Sequence, residues 1–243
     1  MAQAYESLSE WFETLNDDCD YALWSQYFIS GLRRLHMKGK GLELGCGSGA
    51  FSRALTKAGF VMSGCDISSP MLSKAERLAR EGGLKIPFFR ADAASLKTPE
   101  KYSFILSPND CFNYIPQGKL ESAFKNVSKR LEKEGIFWFD VSSEYKFRTK
   151  FADTVSADDR EEVTYLAFHS LHEKHVELDV TLFVKRADGA FERFDEKHIQ
   201  YIHREEDILS ALEGAGFEVL TVEGHLGEKK ENNDRLNFIC RKV

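Results

Sequence analysis

Residues 42–49 read LELGCGSG, a short apolar strand that runs into a turn with three alternating glycines. A helix-forming segment follows at residues 50–58 and ends at Gly59. Glycines in such a turn let the backbone bend tightly and approach a ligand closely, because no side chain intervenes. The first turn of the following helix offers unpaired N–H groups to a carboxylate. The pattern predicts a strand–loop–helix unit that binds a small ligand.

The segments around this unit alternate between strand and helix. Ser69 and Pro70 are typical of a helix start, and Gly82 of its end. Another helix is predicted at residues 119–131. Further apolar strands are predicted at residues 60–65, 86–90, 102–106 and 135–141. Strands that alternate with helices at this rhythm indicate a parallel sheet with helices on both faces.

The pattern changes over residues 162–201, which read as long strands separated by turns. Residues 175–182 alternate polar and apolar side chains with a period of two, as in a half-buried antiparallel strand. Ala187-Asp188-Gly189 is a hairpin signal. We interpret this block as an antiparallel meander inserted into the α/β core. A helix at 204–215 and strands at 217–222 and 235–241 then complete the core sheet.

Two features of the glycine turn identify its ligand. Its spacing is G-x-G-x-G, whereas a pyrophosphate at a helix end is typical of G-x-G-x-x-G. Glu43 stands directly before the turn, where its charge would repel a pyrophosphate but suits a cationic amino-acid group. Both features favour S-adenosylmethionine, which carries an ammonium and a sulfonium and no phosphate, and leave S-adenosylhomocysteine as the product.

Carboxylates follow the next two strands as well. Asp66 ends the second strand and can accept hydrogen bonds from both ribose hydroxyls, although it could instead cap the next helix. Asp92 can accept from the adenine amino group, and Ala93 offers a backbone N–H to a ring nitrogen. Because the carboxyl ends of parallel strands share one edge, we expect these groups to line one crevice with Glu43.

The composition argues against several other classes of protein. The 243 residues carry a net charge of -6, which disfavours a nucleic-acid partner. No apolar run is long enough to cross a bilayer, and residues 1–20 resemble no signal or transit peptide. The five cysteines show no metal-ligand spacing and are expected to be free thiols. We therefore expect a soluble, cytoplasmic protein without a membrane partner.

With these motifs in place, the chain resembles the class I S-adenosylmethionine-dependent methyltransferases over nearly its whole length, and more narrowly a group of small bacterial methyltransferases. The narrower resemblance rests on D-Y-x-x-W at residues 20–24, NDCFNY at 109–114, FDVSS at 139–143 and HIQY at 198–201. It implies an α/β fold with a Rossmann-like seven-stranded sheet, the last strand antiparallel, helices on both faces, and the meander roofing the acceptor pocket.

The chain is thus divided into residues 1–145 (N-terminal helices and Rossmann-like cofactor-binding core), 146–203 (β lid) and 204–243 (C-terminal helix and last two core strands). The resemblance also implies that Tyr5 and Trp24 close over the cofactor. The complete set of expected cofactor contacts is Tyr5, Trp24, Glu43, Gly45, Cys46, Gly47, Gly49, Asp66, Ile67, Met71, Asp92, Ala93 and Asn109.

Methyl transfer from a sulfonium is an in-line displacement, and a general base is needed when the acceptor arrives protonated. The candidate bases are Asp110, Tyr114 and His198. Asn113, Tyr114 and His198 are expected to line the acceptor pocket. His169, His172 and His175 have a spacing that suggests a metal site, but on a strand–turn–strand segment we expect them not to converge, so no metal is predicted.

Four functions fit these motifs to different degrees. A small-molecule methyltransferase is the main hypothesis. An RNA or protein methyltransferase is disfavoured by the acidic charge. A non-catalytic domain that binds S-adenosylmethionine is disfavoured because the set of carboxylates is complete and an acceptor pocket is expected. A nucleotide-dependent oxidoreductase is disfavoured by the glycine spacing and by Glu43.

Overall fold

A computed structural model describes residues 8–17 and 19–243 of the chain. Its helices are α1 (Leu8–Leu15), α2 (Tyr21–Arg34), α3 (Ala50–Lys57), α4 (Ser69–Glu81), α5 (Leu120–Arg130), α6 (Glu144–Thr149) and α7 (Glu205–Gly214). Its strands are β1 (Lys40–Leu44), β2 (Val61–Asp66), β3 (Phe88–Arg90), β4 (Tyr102–Ser107), β5 (Leu131–Ser142), β6 (Val155–Asp159), β7 (Val163–Leu171), β8 (His175–Lys185), β9 (Phe191–Tyr201), β10 (Phe217–Glu223) and β11 (Arg235–Lys242).

Seven of these strands form the core sheet, in the order β10-β11-β5-β4-β1-β2-β3. Within this order, the five adjacent strands β5, β4, β1, β2 and β3 are parallel to one another. Strand β11 is antiparallel to both of its neighbours, β10 and β5. The predicted α/β class and the antiparallel last strand are therefore confirmed. No helix in the described part of the chain has both the length and the apolarity to cross a membrane.

The core sheet separates two apolar layers, and β5 shows how one strand supplies both. Its Phe137 and Phe139 pack with Phe124 on one side. Its Trp138 packs with Phe28 of α2 on the other. Successive side chains of a strand point to opposite faces, so an apolar strand buried on both sides fits the middle of a covered parallel sheet.

Helix α4 begins as the sequence suggests, with a shift of one residue in its cap. Ser68, not Ser69, is the N-cap, and its side-chain oxygen accepts a hydrogen bond from Met71 N at 3.3 Å. Pro70 lies in the first turn, where its missing N–H has no intrahelical partner to lose. The cap fixes the start of the helix close to Asp66.

The inserted segment is a four-stranded antiparallel sheet in the order β6-β7-β8-β9. The predicted hairpin joins β8 to β9, where Arg186 N donates to Ala190 O at 2.7 Å and Gly189 has φ +82°. The predicted block of strands starts at residue 162, but the meander begins earlier, with β6 (Val155–Asp159), which pairs with β7. Helix α1 packs Leu8 against Val163 and Leu182 of this sheet, so α1 lies against the insertion.

Candidate active site

A cavity of about 440 Å³ opens at the carboxyl ends of the core strands. Its walls come from the loops after β1 to β4, from α1 and α2, and from the segment before α5. The lining residues are Phe12, Tyr21, Glu43, Gly45, Cys46, Gly47, Ser48, Ala50, Phe51, Asp66, Ile67, Met71, Ala91, Asp92, Ala93, Ala94, Pro108, Asn109, Cys111, Tyr114, Ile115, Pro116 and Lys119. Open α/β sheets bind their ligands at this edge.

The glycine turn after β1 takes its shape from left-handed backbone conformations. Gly45 and Gly47 have φ of +72° and +50°. A Cβ on Gly45 would lie 2.4 Å from the Cys111 sulfur, whereas a Cβ on Gly47 would meet no atom within 4 Å. Both glycines line the cavity, and Gly47 leaves open space for a ligand. Gly49 is different, because its Cβ position faces Phe88 and Ala75 behind the turn and it does not line the cavity.

Asp66 ties the glycine turn to the end of β2. One of its carboxylate oxygens accepts from Gly47 N at 2.8 Å and the other from Ser68 N at 2.9 Å. Burial raises the pKa of Asp66 above its usual value, and the backbone N–H groups oppose that rise. The carboxylate therefore orders the turn, and it remains part of the cavity wall.

Glu43 is buried at the end of β1, where it caps α3 from the side. Its Oε2 accepts from Ser52 N at 2.7 Å and from the Ser52 hydroxyl. Burial raises the pKa of Glu43 to about 7, against the lowering effect of the Ser52 hydrogen bonds. Because the same carboxyl lines the cavity, a cationic ligand group nearby would favour its ionised form.

Asp92 follows β3 and closes a 3-10 turn at Ala93–Ser95. Its two oxygens accept from Ala94 N at 2.8 Å and from the Ser95 hydroxyl at 3.1 Å. Asp92 and Ala93 lie at one end of the cavity with Ile67 and Met71. The cavity wall thus contains three carboxylates, Glu43, Asp66 and Asp92, and one lysine, Lys119.

This set of side chains suits S-adenosylmethionine better than a dinucleotide. Carboxylates accept hydrogen bonds from ribose hydroxyls and from ammonium groups, whereas a pyrophosphate is usually held by helix N–H groups and by cationic side chains. The open space beside Gly47 provides room for close approach of the ligand. The residues present therefore fit the cofactor that the glycine spacing predicts.

The cover of the cavity differs from the prediction. Phe12 of α1 and Tyr21 of α2 line the cavity. Trp24 does not; it is buried in the layer beneath, edge-on to Phe51, with the Arg235 guanidinium over its ring at 4.8 Å. Trp24 lies on the buried face of an amphipathic helix, so its role is packing. Tyr5 lies outside the described residues.

Helix α1 is attached to the core at both of its ends. The Lys74 ammonium donates to Ser9 O at 3.0 Å, and Glu13 accepts from the Ser48 hydroxyl at 2.5 Å. Arg53 pairs with the same Glu13 oxygen at 3.1 Å. These contacts place α1 directly against the glycine turn, on the side of the cavity that faces away from the sheet.

Among the predicted acceptor residues, Tyr114 lines the cavity and Asn113 does not. Asn113 is buried, and its amide accepts from Ser142 N at 2.8 Å and donates to Tyr201 O at 2.9 Å. Asn113 therefore joins the core to the last strand of the inserted sheet. Its neighbour Cys111 lies in the cavity wall, where burial raises the pKa of the thiol to about 12 and so keeps it protonated.

Asp110, a candidate base, belongs to an ion-pair network beneath the cavity. Its carboxylate accepts from Gln200 Nε2 at 2.9 Å and lies 3.4 Å from Arg235 Nη1. Burial acts to raise the pKa of Asp110, but the charges of Arg235 and Lys146 outweigh it and hold the pKa below its usual value. A carboxylate that is paired and kept ionised, and that lies outside the cavity wall, is unsuited to removing a proton from an acceptor.

The same network holds the loop after β4 in an unusual conformation. Asn109 and Asp110 have φ of +64° and +52°, which costs energy for residues with a side chain. Asp140 at the end of β5 accepts from both backbone N–H groups, at 2.7 and 3.0 Å. Arg235 of β11 pairs with the same carboxylate. Neither Asp140 nor Arg235 was predicted as a site residue, although a carboxylate in the apolar strand β5 was a signal that it must be paired.

His198 lies behind Tyr114 and not in the cavity wall. Its Nδ1 is 3.3 Å from the Tyr114 hydroxyl, and its Nε2 is 3.1 Å from Glu196 Oε2. The other Glu196 oxygen accepts from Leu8 N at 3.0 Å. Glu196 was not predicted, but Glu196, His198 and Gln200 occupy alternate positions of β9 and are all buried. Three polar residues on a buried strand face indicate a hydrogen-bonded network.

The predicted separation of the three histidines on β7 and β8 holds for His169 and is wrong for the other two. His169 stacks on Phe151. The rings of His172 and His175 stack at 4.5 Å across the β7–β8 turn, and with Glu177 they form a group whose ligand atoms lie within 4.8 Å of one another. Glu177 already pairs with Lys197 at 2.8 Å, so its charge is compensated within the sheet.

Comparison with known proteins assigns the same class as the site. Residues 42–135 match a family model described as a methyltransferase domain. A protein of Geobacillus sp. (strain WCH70) that is named as a methyltransferase is 29% identical over 245 residues, covering 98% of this chain and 99% of that one.

Solved structures agree over the full length. An S-adenosylmethionine-dependent methyltransferase from Clostridium acetobutylicum ATCC 824 has a TM-score of 0.89 at 26% identity, covering 99% of both chains. S-adenosylmethionine-bound CalS10, an amino pentose methyltransferase from Micromonospora echinaspora, shares the fold at a TM-score of 0.76 and 17% identity, covering 100% of this chain and 98% of that one. With its glycine turn and three cavity carboxylates, the chain contains a methyltransferase domain at residues 42–135 and is similar over its full length to S-adenosylmethionine-dependent methyltransferases.

Proposed function

We propose that the chain transfers the methyl group of S-adenosylmethionine to a small-molecule acceptor that binds beside Tyr114. The observation that carries this proposal is the single cavity, which extends from Asp66 and Asp92 to Tyr114. A donor seated on the carboxylates and an acceptor at Tyr114 would share one enclosure. Methyl transfer needs this, because the nucleophile must meet the methyl group in line and at near-attack distance.

The proposed seat assigns a role to each carboxylate. Asp66 accepts from the ribose hydroxyls with the lone pairs that Gly47 and Ser68 leave available. Asp92 and Ala93 receive the adenine edge, and Glu43 lies nearest the cationic amino-acid end. Gly45, Cys46, Ile67, Met71 and Asn109 complete the wall.

The cofactor supplies the electrophilic methyl group and a good leaving group, so the protein mainly has to position and desolvate the acceptor. Phe12 and Tyr21 cover the cavity from the helical side. Aromatic faces near a sulfonium are worth about 0.5–2 kcal/mol each. Tyr114 presents a hydroxyl to the acceptor side.

A small acceptor is favoured over a macromolecule for two reasons. The cavity volume of about 440 Å³ lies in the range of small-molecule sites, and the described residues of its wall include one lysine and no arginine. The net charge of -6 opposes nucleic-acid binding. The name of CalS10, an amino pentose methyltransferase with the same fold, agrees with a small polar acceptor.

We also propose the three-part division into residues 1–145, 146–203 and 204–243, with the middle part as the acceptor-side lid. Its support is the position of β9, whose Gln200 and His198 contact Asp110 and Tyr114 from behind the cavity wall. In this arrangement the lid shapes the acceptor pocket by holding its wall, while α1 covers the cavity.

Calorimetric titration with S-adenosylmethionine, S-adenosylhomocysteine and NADH tests the proposal. We expect micromolar binding of both sulfur compounds and none of NADH. Asp66→Ala should abolish binding, because it removes the ribose acceptor and leaves Gly47 N without its partner. Asp188→Ala, on the β8–β9 hairpin, is the matched control and should bind normally. Tight NADH binding without any response to the sulfur compounds would overturn the assignment, and methylation of RNA or protein would replace the small acceptor.

A further inference from the structure

Half-buried Tyr114 and the buried side chains of His198 and Glu196 stand in series at the acceptor end of the cavity. The Tyr114 hydroxyl reaches His198 Nδ1 at 3.3 Å, and His198 Nε2 reaches Glu196 Oε2 at 3.1 Å. The side chains of His198 and Glu196 are 3% and 1% exposed. Of the three, Tyr114 lines the cavity.

The hydrogen bonds of Glu196 determine which way the histidine donates. Leu8 N donates to Glu196 Oε1, which turns the other oxygen toward His198. An ionised carboxylate can only accept, so the proton of the neutral imidazole lies on Nε2. Nδ1 is then an acceptor, and its partner is the Tyr114 O–H. In this series, Tyr114 therefore donates a hydrogen bond to His198, and His198 donates one to Glu196.

We propose that Tyr114 is the catalytic base of the methyl transfer, with His198 and Glu196 as positioning residues that receive and stabilise its proton. This inference rests on the proposed function and adds the chemical class of the acceptor. An acceptor that arrives with a proton on its nucleophilic atom, an ammonium or a hydroxyl, is the class that needs such a base.

The step conserves atoms and charge. The N–H or O–H bond of the acceptor breaks, and the electron pair left on the acceptor atom forms the bond to the methyl carbon as the carbon–sulfur pair returns to sulfur. The proton of the acceptor moves to the Tyr114 oxygen while the Tyr114 proton moves to His198 Nδ1. The resulting imidazolium is paired with the Glu196 carboxylate, 3.1 Å from His198 Nε2. After the product leaves, the proton returns through Tyr114 to water.

Other charged groups near the series are already engaged. On β9, Gln200 connects to Asp110, which pairs with Arg235. In register with His198, β8 contributes Leu178 and β7 contributes His169, which bonds to Thr154. The network that contains Asp110 is thus separate from the series that begins at Tyr114.

Imidazole nitrogen NMR of the protein saturated with S-adenosylhomocysteine tests the polarity. The wild type should show the Nε2–H form of His198. In Glu196→Gln, Leu8 N–H should take the carbonyl oxygen of the introduced amide, so that the NH₂ group faces Nε2 and the proton moves to Nδ1. The signals of the two nitrogens should exchange. Glu192→Gln, exposed on the same strand, is the matched control and should leave them unchanged.

Kinetics then test the role. A panel of amines, alcohols and phenols, assayed by release of S-adenosylhomocysteine, supplies the acceptor. Tyr114→Phe and Glu196→Gln should lower kcat at least about 100-fold, within the usual range for general-base catalysis, with KM for S-adenosylmethionine changed less than about threefold. If these residues had only a structural role, the variants would lose stability and change KM together, and kcat would not fall alone.

The outcomes separate this inference from the proposed function. Failure to bind S-adenosylhomocysteine would overturn both. Normal binding with an Nδ1–H histidine in the wild type, or with a histidine unaffected by Glu196→Gln, would overturn the series alone. Full kcat in Tyr114→Phe would do the same and leave the methyltransferase assignment intact.

Discussion

The two ends of the cavity are built in different ways. At the cofactor end, Asp66 binds Gly47 and Ser68, which are 19 and two residues away, and Asp92 binds Ala94, two residues away. At the acceptor end the partners are distant in sequence. Tyr114 and His198 are separated by 84 residues, Asp110 and Arg235 by 125, and Leu8 and Glu196 by 188.

This difference suggests that the two ends of the cavity can change independently of each other. Local hydrogen bonds shape the proposed cofactor seat, which depends on short motifs at the ends of β1, β2 and β3. The acceptor end depends on the inserted sheet, on α1 and on β11 being in place at once. Changes in the insertion can therefore alter the acceptor pocket while leaving the cofactor seat unchanged.

The largest effect expected from breaking a long-range contact is at Asp140. Asp140→Asn removes the charge that pairs with Arg235 and presents an NH₂ group to the N–H groups of Asn109 and Asp110. Loss of one partner of a buried ion pair costs about 3–5 kcal/mol. We expect a loss of about 3 kcal/mol in the free energy of unfolding, measured by urea denaturation.

The control for that change is Glu100→Gln, the same substitution in the exposed Lys40–Glu100 pair. Exposed pairs contribute about 0–1 kcal/mol, so this variant should unfold close to the wild type. Equal stabilities for the two variants would show that the acceptor end does not depend on the Asp140 network.

A smaller effect distinguishes two glycines of the cofactor end. Gly45→Ala brings a methyl group to 2.4 Å from the Cys111 sulfur and should cost about 2 kcal/mol of stability. Gly47→Ala meets open space but occupies room for the ligand, so its main effect should be on affinity for S-adenosylhomocysteine, at least about tenfold by calorimetry.

Gly189→Ala provides the reference for backbone strain alone. Gly189 has φ +82° and nothing within 4 Å of its Cβ position, and it lies on the β8–β9 hairpin. The Gly189→Ala variant should lose about as much stability as Gly47→Ala does, and it should bind S-adenosylhomocysteine normally. If both variants bind normally, Gly47 does not approach the cofactor.

The smallest effect concerns Glu43 and pH. Its pKa of about 7 in the fold is above the ordinary 4.5, so its contribution to stability is complete below pH 4.5 and is lost as the pH rises through 7. A bound ammonium favours the ionised form. Affinity for S-adenosylhomocysteine should therefore fall up to about tenfold from about pH 8 to about pH 6, because Glu43 must lose its proton on binding.

Glu43→Gln, which keeps an acceptor for Ser52, should remove this dependence. A pH dependence that persists in the variant would assign it to another group, such as Asp66, whose pKa is also raised by burial. Calorimetry in buffers of different ionisation enthalpy would show the released proton directly.

Sequence reasoning reached the cofactor end and the architecture because both depend on local patterns. Alternating strands and helices, helix caps and the glycine turn are encoded within a few residues of each other. The expected cofactor residues Gly45, Cys46, Gly47, Ile67, Met71 and Asn109 all lie in the cavity wall, together with the three carboxylates. Their contacts with the cofactor remain predictions.

The acceptor end could not be derived in the same way, because many of the side-chain roles there are set by partners that are distant in sequence. NDCFNY contains five polar or reactive side chains in six residues, and the sequence does not say which of them face the ligand. Asp110 and Asn113 turn toward Arg235 and Tyr201, so that Asn109, Cys111 and Tyr114 are the residues of this motif in the wall. Trp24 was expected from the family resemblance to close over the cofactor, but it packs among buried side chains and does not line the cavity.

The position of β11 between β5 and β10 has a consequence for synthesis on the ribosome. Chains emerge from the amino end and fold as they lengthen, at about 5–20 residues per second. The strands of the cofactor end are complete by Arg90, but β5 has an unpaired edge and Asp140 has no cation until Arg235 has emerged. Until then the apolar β5 is an open strand edge, the kind of surface that invites pairing with another chain. A nascent or truncated chain that ends before β11 is therefore expected to need protection from aggregation, even though the strands of its proposed cofactor end have all emerged.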